Sequence, residues 1–153
     1  MIEGLVQRVT RRVRADALGG DAALAARADA LADRYLDGIR ATSVSWSARM
    51  HRRYGSCSPG EGRVRISTQL AGHPPYVLDA VLMHELAHLQ IADHSAAFWR
   101  LVERFPDAAR ARGFLEGFAA GRLAAGIPGD PAAAIAAAGS AGQPVEPDAS
   151  SSS

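Results

Sequence analysis

The sequence His84-Glu85-Leu86-Ala87-His88 places two histidines four residues apart, with a glutamate directly after the first. On an α-helix, residues four apart project from the same side, one turn apart, so both imidazoles can bind one metal ion. Glu85 lies about 100° further round the axis, which places its carboxylate beside such an ion. A carboxylate there can take a proton from water on the metal. The pattern therefore predicts a metal site, with His84 and His88 as ligands and Glu85 as general base.

The motif falls within a predicted helix from about residue 76 to residue 92, which starts after Pro74-Pro75. Leucines recur at helical spacing on the opposite face, at positions 78, 82, 86 and 89. We therefore expect the helix to pack through its leucines and to leave the histidine face free. The alternative is a buried pair of histidines with a structural role, since short motifs also occur without function.

A catalytic zinc site needs a third protein ligand and an open coordination position. His94 follows His88 by six residues, in a predicted break before the next helix. This spacing equals that of the metzincin zinc signature, but Ile91 occupies the position of the glycine that makes the turn in that signature. We expect a turn at residues 92–93 to bring His94 back as the third ligand, the alternative being a histidine that faces solvent. His73, before the two prolines, is expected to be a loop residue.

The rest of the chain predicts an α+β protein. Apolar residues at helical spacing predict helices at residues 2–14 and 21–36, the second capped by Asp21. Alternating apolar and polar residues then predict three short antiparallel strands in a meander. Two more helices are expected at residues 96–105 and 107–125. We divide the chain into an N-terminal amphipathic helix (1–20), an α+β domain (21–125) and a disordered Ala/Gly/Pro/Ser tail (126–153).

Composition narrows the possible functions. The 153 residues include 17 basic and 16 acidic ones, and a net charge of +1 argues against binding a polyanion through bulk charge. The single cysteine, Cys57, excludes an intrachain disulfide and a zinc site built from cysteines. We find no signal-peptide pattern and no apolar stretch of membrane-spanning length, so we expect a cytoplasmic protein without a membrane partner.

Further motifs stand in a fixed order around the two histidines. They are Trp46, Arg53-Tyr54-Gly55-Ser56-Cys57, Val64-Arg65-Ile66-Ser67, Leu70, Pro75, Met83-His84-Glu85-Leu86-Ala87-His88-Leu89, Asp93-His94-Ser95-Ala96-Ala97-Phe98-Trp99 and Pro106. This order resembles the YgjP-like metallopeptidase domain, which is related to the SprT-like and WLM zinc peptidases. The resemblance implies a zincin-like fold, in which a small antiparallel sheet packs with helices and a long active-site helix carries the HExxH motif. It also implies one Zn²⁺ per chain on His84, His88 and His94, with Glu85 as the catalytic carboxylate.

Two positions depart from the family pattern. Tyr54 stands where the family usually has tryptophan and keeps an aromatic ring, whereas Asp93 stands where asparagine is usual and is expected to cap the next helix. Because the Arg-Tyr-Gly-Ser-Cys strand recurs in the family, His51, Arg53 and Tyr54 are candidate transition-state or substrate contacts. Alternatively, Tyr54 packs in the core and Arg53 forms a structural ion pair. For Cys57 we favour a packing role.

The expected function is zinc-dependent hydrolysis of peptide bonds in a peptide or protein substrate. One alternative is a zinc-binding interaction module without proteolysis, although such a module would not need Glu85. A second is a peptidase that acts on DNA-associated proteins, as SprT-like relatives do. A basic cluster favours that alternative, whereas the net charge gives it little support. The cluster consists of Arg49, His51, Arg52 and Arg53. The oligomeric state stays open.

Overall fold

The computed structural model describes residues 2–125, which form five α-helices and one three-stranded sheet, so the predicted α+β class is confirmed. The predicted tail, residues 126–153, lies outside the described residues. No described helix is both long and apolar enough to cross a membrane. The helices are α1 (Ile2–Ala17), α2 (Gly20–Tyr35), α3 (Pro75–Ala87), α4 (Ala96–Val102) and α5 (Ala108–Ala124). The strands are β1 (Ser43–Ser47), β2 (Gly55–Ser58) and β3 (Arg63–Ser67), and a 3₁₀ turn (Thr68–Gly72) follows β3.

The sheet is mixed, so the predicted antiparallel meander is wrong. β3 lies in the middle, where it pairs in parallel with β1 and antiparallel with β2. The connection from β1 to β3, residues 48–62, is long enough for the chain to cross over and return in the same direction. β2 forms within that connection and takes the far edge of β3. The predicted alternation holds, since Val44, Trp46, Val64 and Ile66 are buried.

α1 is longer than predicted and exposes its apolar face. Leu5, Val6, Val9 and Val13 are each more than half exposed, whereas Ala15 is fully buried. The helix contacts the 3₁₀ turn rather than the sheet. The apolar spacing therefore predicted the helix, but it did not show which side packs.

α2 packs against both β1 of the sheet and α3. Its N-cap is Gly19, whose φ of 99° lies in the left-handed region that favours glycine, and not Asp21 as predicted. Asp21 instead accepts a hydrogen bond of 2.8 Å from the backbone N–H of Trp46, which ties α2 to β1. On the same helix, Arg27 donates two hydrogen bonds to the carboxylate of Asp79 on α3.

α3 is buried on nearly all sides, so the expectation of a free histidine face is wrong. His84 and Glu85 are only 2% and 3% exposed, and Leu78, Leu82 and Leu86 on the leucine face are buried as well. The reason is that α2, β2, α4 and α5 all pack against this helix. The buried apolar residues of α3 are Val77, Leu78, Val81, Leu82, Met83, Leu86 and Ala87.

The two last helices, α4 and α5, both pack against α3. α4 ends at Val102, earlier than predicted, and α5 begins after Pro106-Asp107 as predicted. The large apolar residues of this region that pack into the core are Phe98, Leu101, Val102 and Phe105. Phe98 of α4 contacts His84 of the motif, whereas Arg110 and Phe114 of α5 contact Tyr76 near the start of α3.

Candidate metal centre

The HExxH motif lies at the C-terminal end of α3. The helix ends at Ala87 and not near residue 92, so His84 and Glu85 occupy its last turn and His88 is the C-cap. The backbone N–H of His88 donates to the carbonyl of His84, which preserves the helical relation between the two histidines. Their side chains therefore project to the same side, as the spacing predicted.

The imidazoles of His84, His88 and His94 converge. One ring nitrogen from each residue lies within 4.8 Å of those of the other two. The Nε2 atoms of His84 and His88 are 3.2 Å apart. Two nitrogens on one tetrahedral zinc, each bonded at about 2.0–2.1 Å, lie about 3.3 Å apart. The three side chains thus fit a single metal ion, both in donor chemistry and in spacing.

The turn that brings His94 back forms without glycine. It starts at His88, earlier than the predicted residues 92–93, and the backbone N–H of Ile91 donates to the carbonyl of Ala87 at 3.0 Å. The His88 Nδ1 lies 3.0 Å from the carbonyl oxygen of Ile91. Because a carbonyl oxygen only accepts, this Nδ1 carries the proton, and the His88 Nε2 is left with a free lone pair for a metal.

His94 is positioned by the start of α4. Ser95, rather than the predicted Asp93, is the N-cap, and its hydroxyl accepts from the backbone N–H of Phe98. The Asp93 carboxylate accepts instead from the backbone N–H of Ser95 at 3.2 Å. The indole of Trp99 stacks on the His94 ring, with centroids 5.8 Å apart and planes 27° apart. The sequence order Asp93-His94-Ser95 therefore fixes both the ligand and the helix that follows it.

Aromatic rings and one cation enclose the cluster. Phe98 stacks on His88 with centroids 4.4 Å apart and meets His84 edge-on at 4.9 Å. The guanidinium of Arg112 on α5 lies over the Trp99 ring, 5.1 Å from its centroid. These three residues, Phe98, Trp99 and Arg112, thus come from α4 and α5. The packing fixes the orientation of the imidazoles and excludes water from one side.

The electrostatics favour neutral imidazoles. Burial lowers the pKa of His84 well below its usual value of 6.5, and the neighbouring histidines lower it further. Burial also lowers the pKa of His88 and that of His94. Because a metal ligand must offer a lone pair, histidines that are neutral at pH 7 are ready to bind without first losing a proton.

Glu85 is buried against β2. Burial raises its pKa to about 8, and the positive charge of Arg53 acts in the opposite direction. The strand approaches very closely here, since a Cβ atom at Gly55 would lie 2.9 Å from Glu85 Cγ and 3.1 Å from Val81 Cγ1. This role of Gly55 was not predicted from the sequence. The glycine within the Arg-Tyr-Gly-Ser-Cys motif was the available signal.

The other candidate contacts divide into two groups. Arg53 is exposed, and its positive charge lowers the pKa of His84 and His88, which places it near the cluster. Tyr54 is buried and sets its ring against His73, with centroids 6.3 Å apart. His51 is exposed, and its backbone carbonyl accepts from the side-chain amide of Gln69. The structure thus brings Arg53, but neither of the other two, into the electrostatic surroundings of the histidines.

Cys57 and His73 lie outside the three-histidine cluster. Cys57 is half-buried, packs against the core as expected, and has its pKa raised to about 11 by burial and by the negative charge of Glu85. His73 directly follows the 3₁₀ turn, and its ring meets those of Phe114 and Phe118 edge-on. Neither side chain is positioned as a further ligand.

Residues 21–116 match a known protein family. A family model described as the YgjP-like metallopeptidase domain matches residues 21–116, which include all three histidines and Glu85. Comparisons with curated proteins and with solved structures gave no match. The family match covers more than half of the chain, and it agrees with the resemblance inferred from the order of the motifs. The chain therefore belongs to the YgjP-like metallopeptidase family.

Proposed function

We propose that this protein is a zinc-dependent metallopeptidase with a zincin-like arrangement of its active-site helix. One observation carries the proposal: three imidazoles converge at the end of α3, next to a buried carboxylate. His84, His88 and His94 would hold the ion, and Glu85 would act on the water. The family gives the reaction class, a metallopeptidase, and implies a peptide or protein substrate.

If His84, His88 and His94 held a zinc ion, it would supply a bound water with a pKa near about 7 and a positive charge that polarises a carbonyl group. Glu85 accepts the proton of the attacking water and transfers it to the leaving amine nitrogen. Burial alone raises the pKa of Glu85 to about 8, and a cation held by the three histidines would favour the ionised carboxylate, which is the form that accepts a proton. The positive charge of Arg53 stabilises the negative charge that develops on the carbonyl oxygen.

Metal content and peptide hydrolysis, measured on the same preparations, test the proposal. We expect the wild type to hold one zinc per chain and His94→Ala to hold far less, because a three-ligand site then loses one ligand. Glu85→Gln should keep the zinc and lose cleavage by about 10²–10⁴-fold, the usual contribution of a general base. His51→Ala, which changes an exposed histidine outside the cluster, is the matched control and should keep its zinc.

Two outcomes would contradict the proposal in different ways. Full zinc retention in His94→Ala would show that the third ligand is assigned wrongly. Equal peptide cleavage by Glu85→Gln and the wild type would show that Glu85 is not the general base. A zinc-loaded wild type that cleaves no peptide in a broad library would favour the interaction module over the peptidase.

A further inference from the structure

A groove of about 390 Å³ lies beside the sheet and is lined by residues that include three arginines. Arg65 of β3 is opposite Ser56 of β2 in the register of the antiparallel pair. Arg65 is exposed, whereas its neighbours Val64 and Ile66 are buried, so it projects from the solvent face of the sheet. The groove is lined by Ser47, Arg49, Met50, Arg53, Ser56, Cys57, Ser58 and Arg65. No aspartate or glutamate is among these lining residues.

The three groove arginines have no carboxylate partner among the described residues. Arg49, Arg53 and Arg65 take part in none of the ion pairs that the described part of the chain forms. Six other arginines do so, and they are Arg12, Arg27, Arg40, Arg63, Arg104 and Arg110. Three like charges around one groove repel each other, and a bound anion removes that repulsion.

The groove adjoins the candidate metal centre through β2, because Gly55, which packs against Glu85, directly precedes the groove residue Ser56. Arg53 lines the groove, and its charge also acts on His84 and Glu85. Cys57 lines the groove as well, and its thiol lies within the influence of the Glu85 carboxylate. A peptide with its scissile bond at the histidine cluster would therefore carry a neighbouring side chain past Arg53 into the groove.

The residues that line the groove indicate which kind of ligand it binds. Guanidinium groups bind carboxylates through paired charge-assisted hydrogen bonds, and three serine hydroxyls add further donors. Single-stranded nucleic acid needs aromatic side chains on which bases stack, and none of the lining residues is aromatic. The net charge of +1 also gives little long-range attraction for a polyanion. The observations thus favour an acidic side chain over a nucleic acid.

We propose that this groove binds an aspartate or glutamate side chain of the peptide substrate, close to the scissile bond. Arg65 and Arg49 are then specificity-determining residues, while Arg53 contacts both the groove and the reacting carbonyl. The inference rests on the proposed peptidase function and adds a substrate class to it, peptides that carry an acidic residue beside the cleaved bond.

Cleavage of matched peptides by the zinc-loaded full chain tests the preference. The peptides differ only by glutamate or glutamine at each position flanking the scissile bond. We expect the wild type to prefer the glutamate peptide by about ten- to hundredfold, the contribution of hydrogen bonds between charged groups. Arg65→Gln and Arg49→Gln should each reduce that preference, because cleavage of the glutamate peptide should fall more than cleavage of the glutamine peptide. Arg63→Gln, on the same strand but paired with Glu61 and outside the groove lining, is the matched control.

A binding assay separates failure of this inference from failure of the proposed function. Fluorescence anisotropy of a labelled acidic peptide on the metal-free full chain should show weaker binding to Arg65→Gln than to Arg63→Gln. If no peptide is cleaved but this difference persists, the groove assignment stands and the peptidase proposal fails. If both peptides are cleaved equally, the groove assignment fails and the peptidase proposal stands. An oligonucleotide that displaces the peptide at a lower concentration than unlabelled peptide overturns the acidic-peptide assignment.

Discussion

Replacing Gly55 by alanine should displace Glu85 without removing any metal ligand. The added Cβ would lie 2.9 Å from Glu85 Cγ, 3.0 Å from Glu85 Oε2 and 3.1 Å from Val81 Cγ1. Carbon atoms in contact prefer separations of about 3.5–4.0 Å, so β2 or the glutamate has to move by about 0.5 Å. All three contacts come from α3, and Val81 is itself buried in the core. The movement therefore falls mainly on the Glu85 side chain.

The substitution should lower both the stability and the cleavage rate, and the cleavage rate more strongly. Overpacking a buried site lowers the free energy of unfolding by about 1–3 kcal/mol. Misplacement of a catalytic group costs more in rate, since a shift of about 1 Å can reduce activity about 10²-fold. We therefore expect Gly55→Ala to fold, to retain one zinc per chain, and to cleave peptide at least about tenfold more slowly than the wild type.

Gly60→Ala is the matched control, because a Cβ at Gly60 meets no atom within 4 Å. It should stay within about 0.5 kcal/mol of the wild-type free energy of unfolding. The assays are urea denaturation, zinc content and peptide hydrolysis on all three proteins. Equal unfolding free energies and equal cleavage rates for the two variants would refute the close packing of β2 against Glu85.

Three further predictions follow from single contacts. Asp21→Ala removes the acceptor of the Trp46 backbone N–H and should lower the free energy of unfolding, measured in urea, by about 1–2 kcal/mol. Asp21→Asn keeps an acceptor, so equal losses of stability in the two variants would contradict a stabilising role of this hydrogen bond. Burial raises the pKa of Cys57 to about 11, which leaves less thiolate at pH 8 than in the unfolded chain. Iodoacetamide should therefore alkylate the folded protein about 100-fold more slowly at pH 8, and equal rates would be inconsistent with the buried thiol. Trp99→Leu removes the ring that stacks on His94 and should weaken zinc binding about tenfold in a chelator competition, as loss of an outer partner of a metal-binding histidine commonly does. Trp99→Phe keeps a ring and should lose less affinity. An unchanged zinc affinity in the leucine variant would argue against a positioning role for Trp99.

Local spacing was sufficient to predict most of the secondary structure. The alternation of Val44 and Trp46 predicted a half-buried strand, and the Pro106-Asp107 break located the start of α5. The order of strands in the sheet depends instead on where the long connection at residues 48–62 runs. Alternation is the same in parallel and antiparallel pairs of this kind, so the pattern contains no information about direction. The parallel pairing of β1 with β3 therefore could not be predicted from it.

At the candidate site, too, local spacing predicted some features and missed others. His84 and His88 follow from helical geometry, and the structure brings His94 to them, as its spacing from His88 predicted. The position of the turn was predicted too late in the chain, because the side chain of His88 itself bonds to the carbonyl of Ile91 and helps to end the helix. Such a bond between a side chain and the backbone competes with further helical bonds, and propensity does not describe it.

The burial of Glu85 depends on contacts that are distant in sequence. The leucines of α3 predicted one buried face, but β2 also covers the side of Val81 and Glu85, because Gly55 lacks a side chain and allows the strand to approach. That approach removes the carboxyl group from water and raises its pKa to about 8. Arg53, two residues before Gly55, supplies the positive charge that partly offsets this cost of burial. One short segment thus both buries the proposed base through Gly55 and limits the rise of its pKa through Arg53.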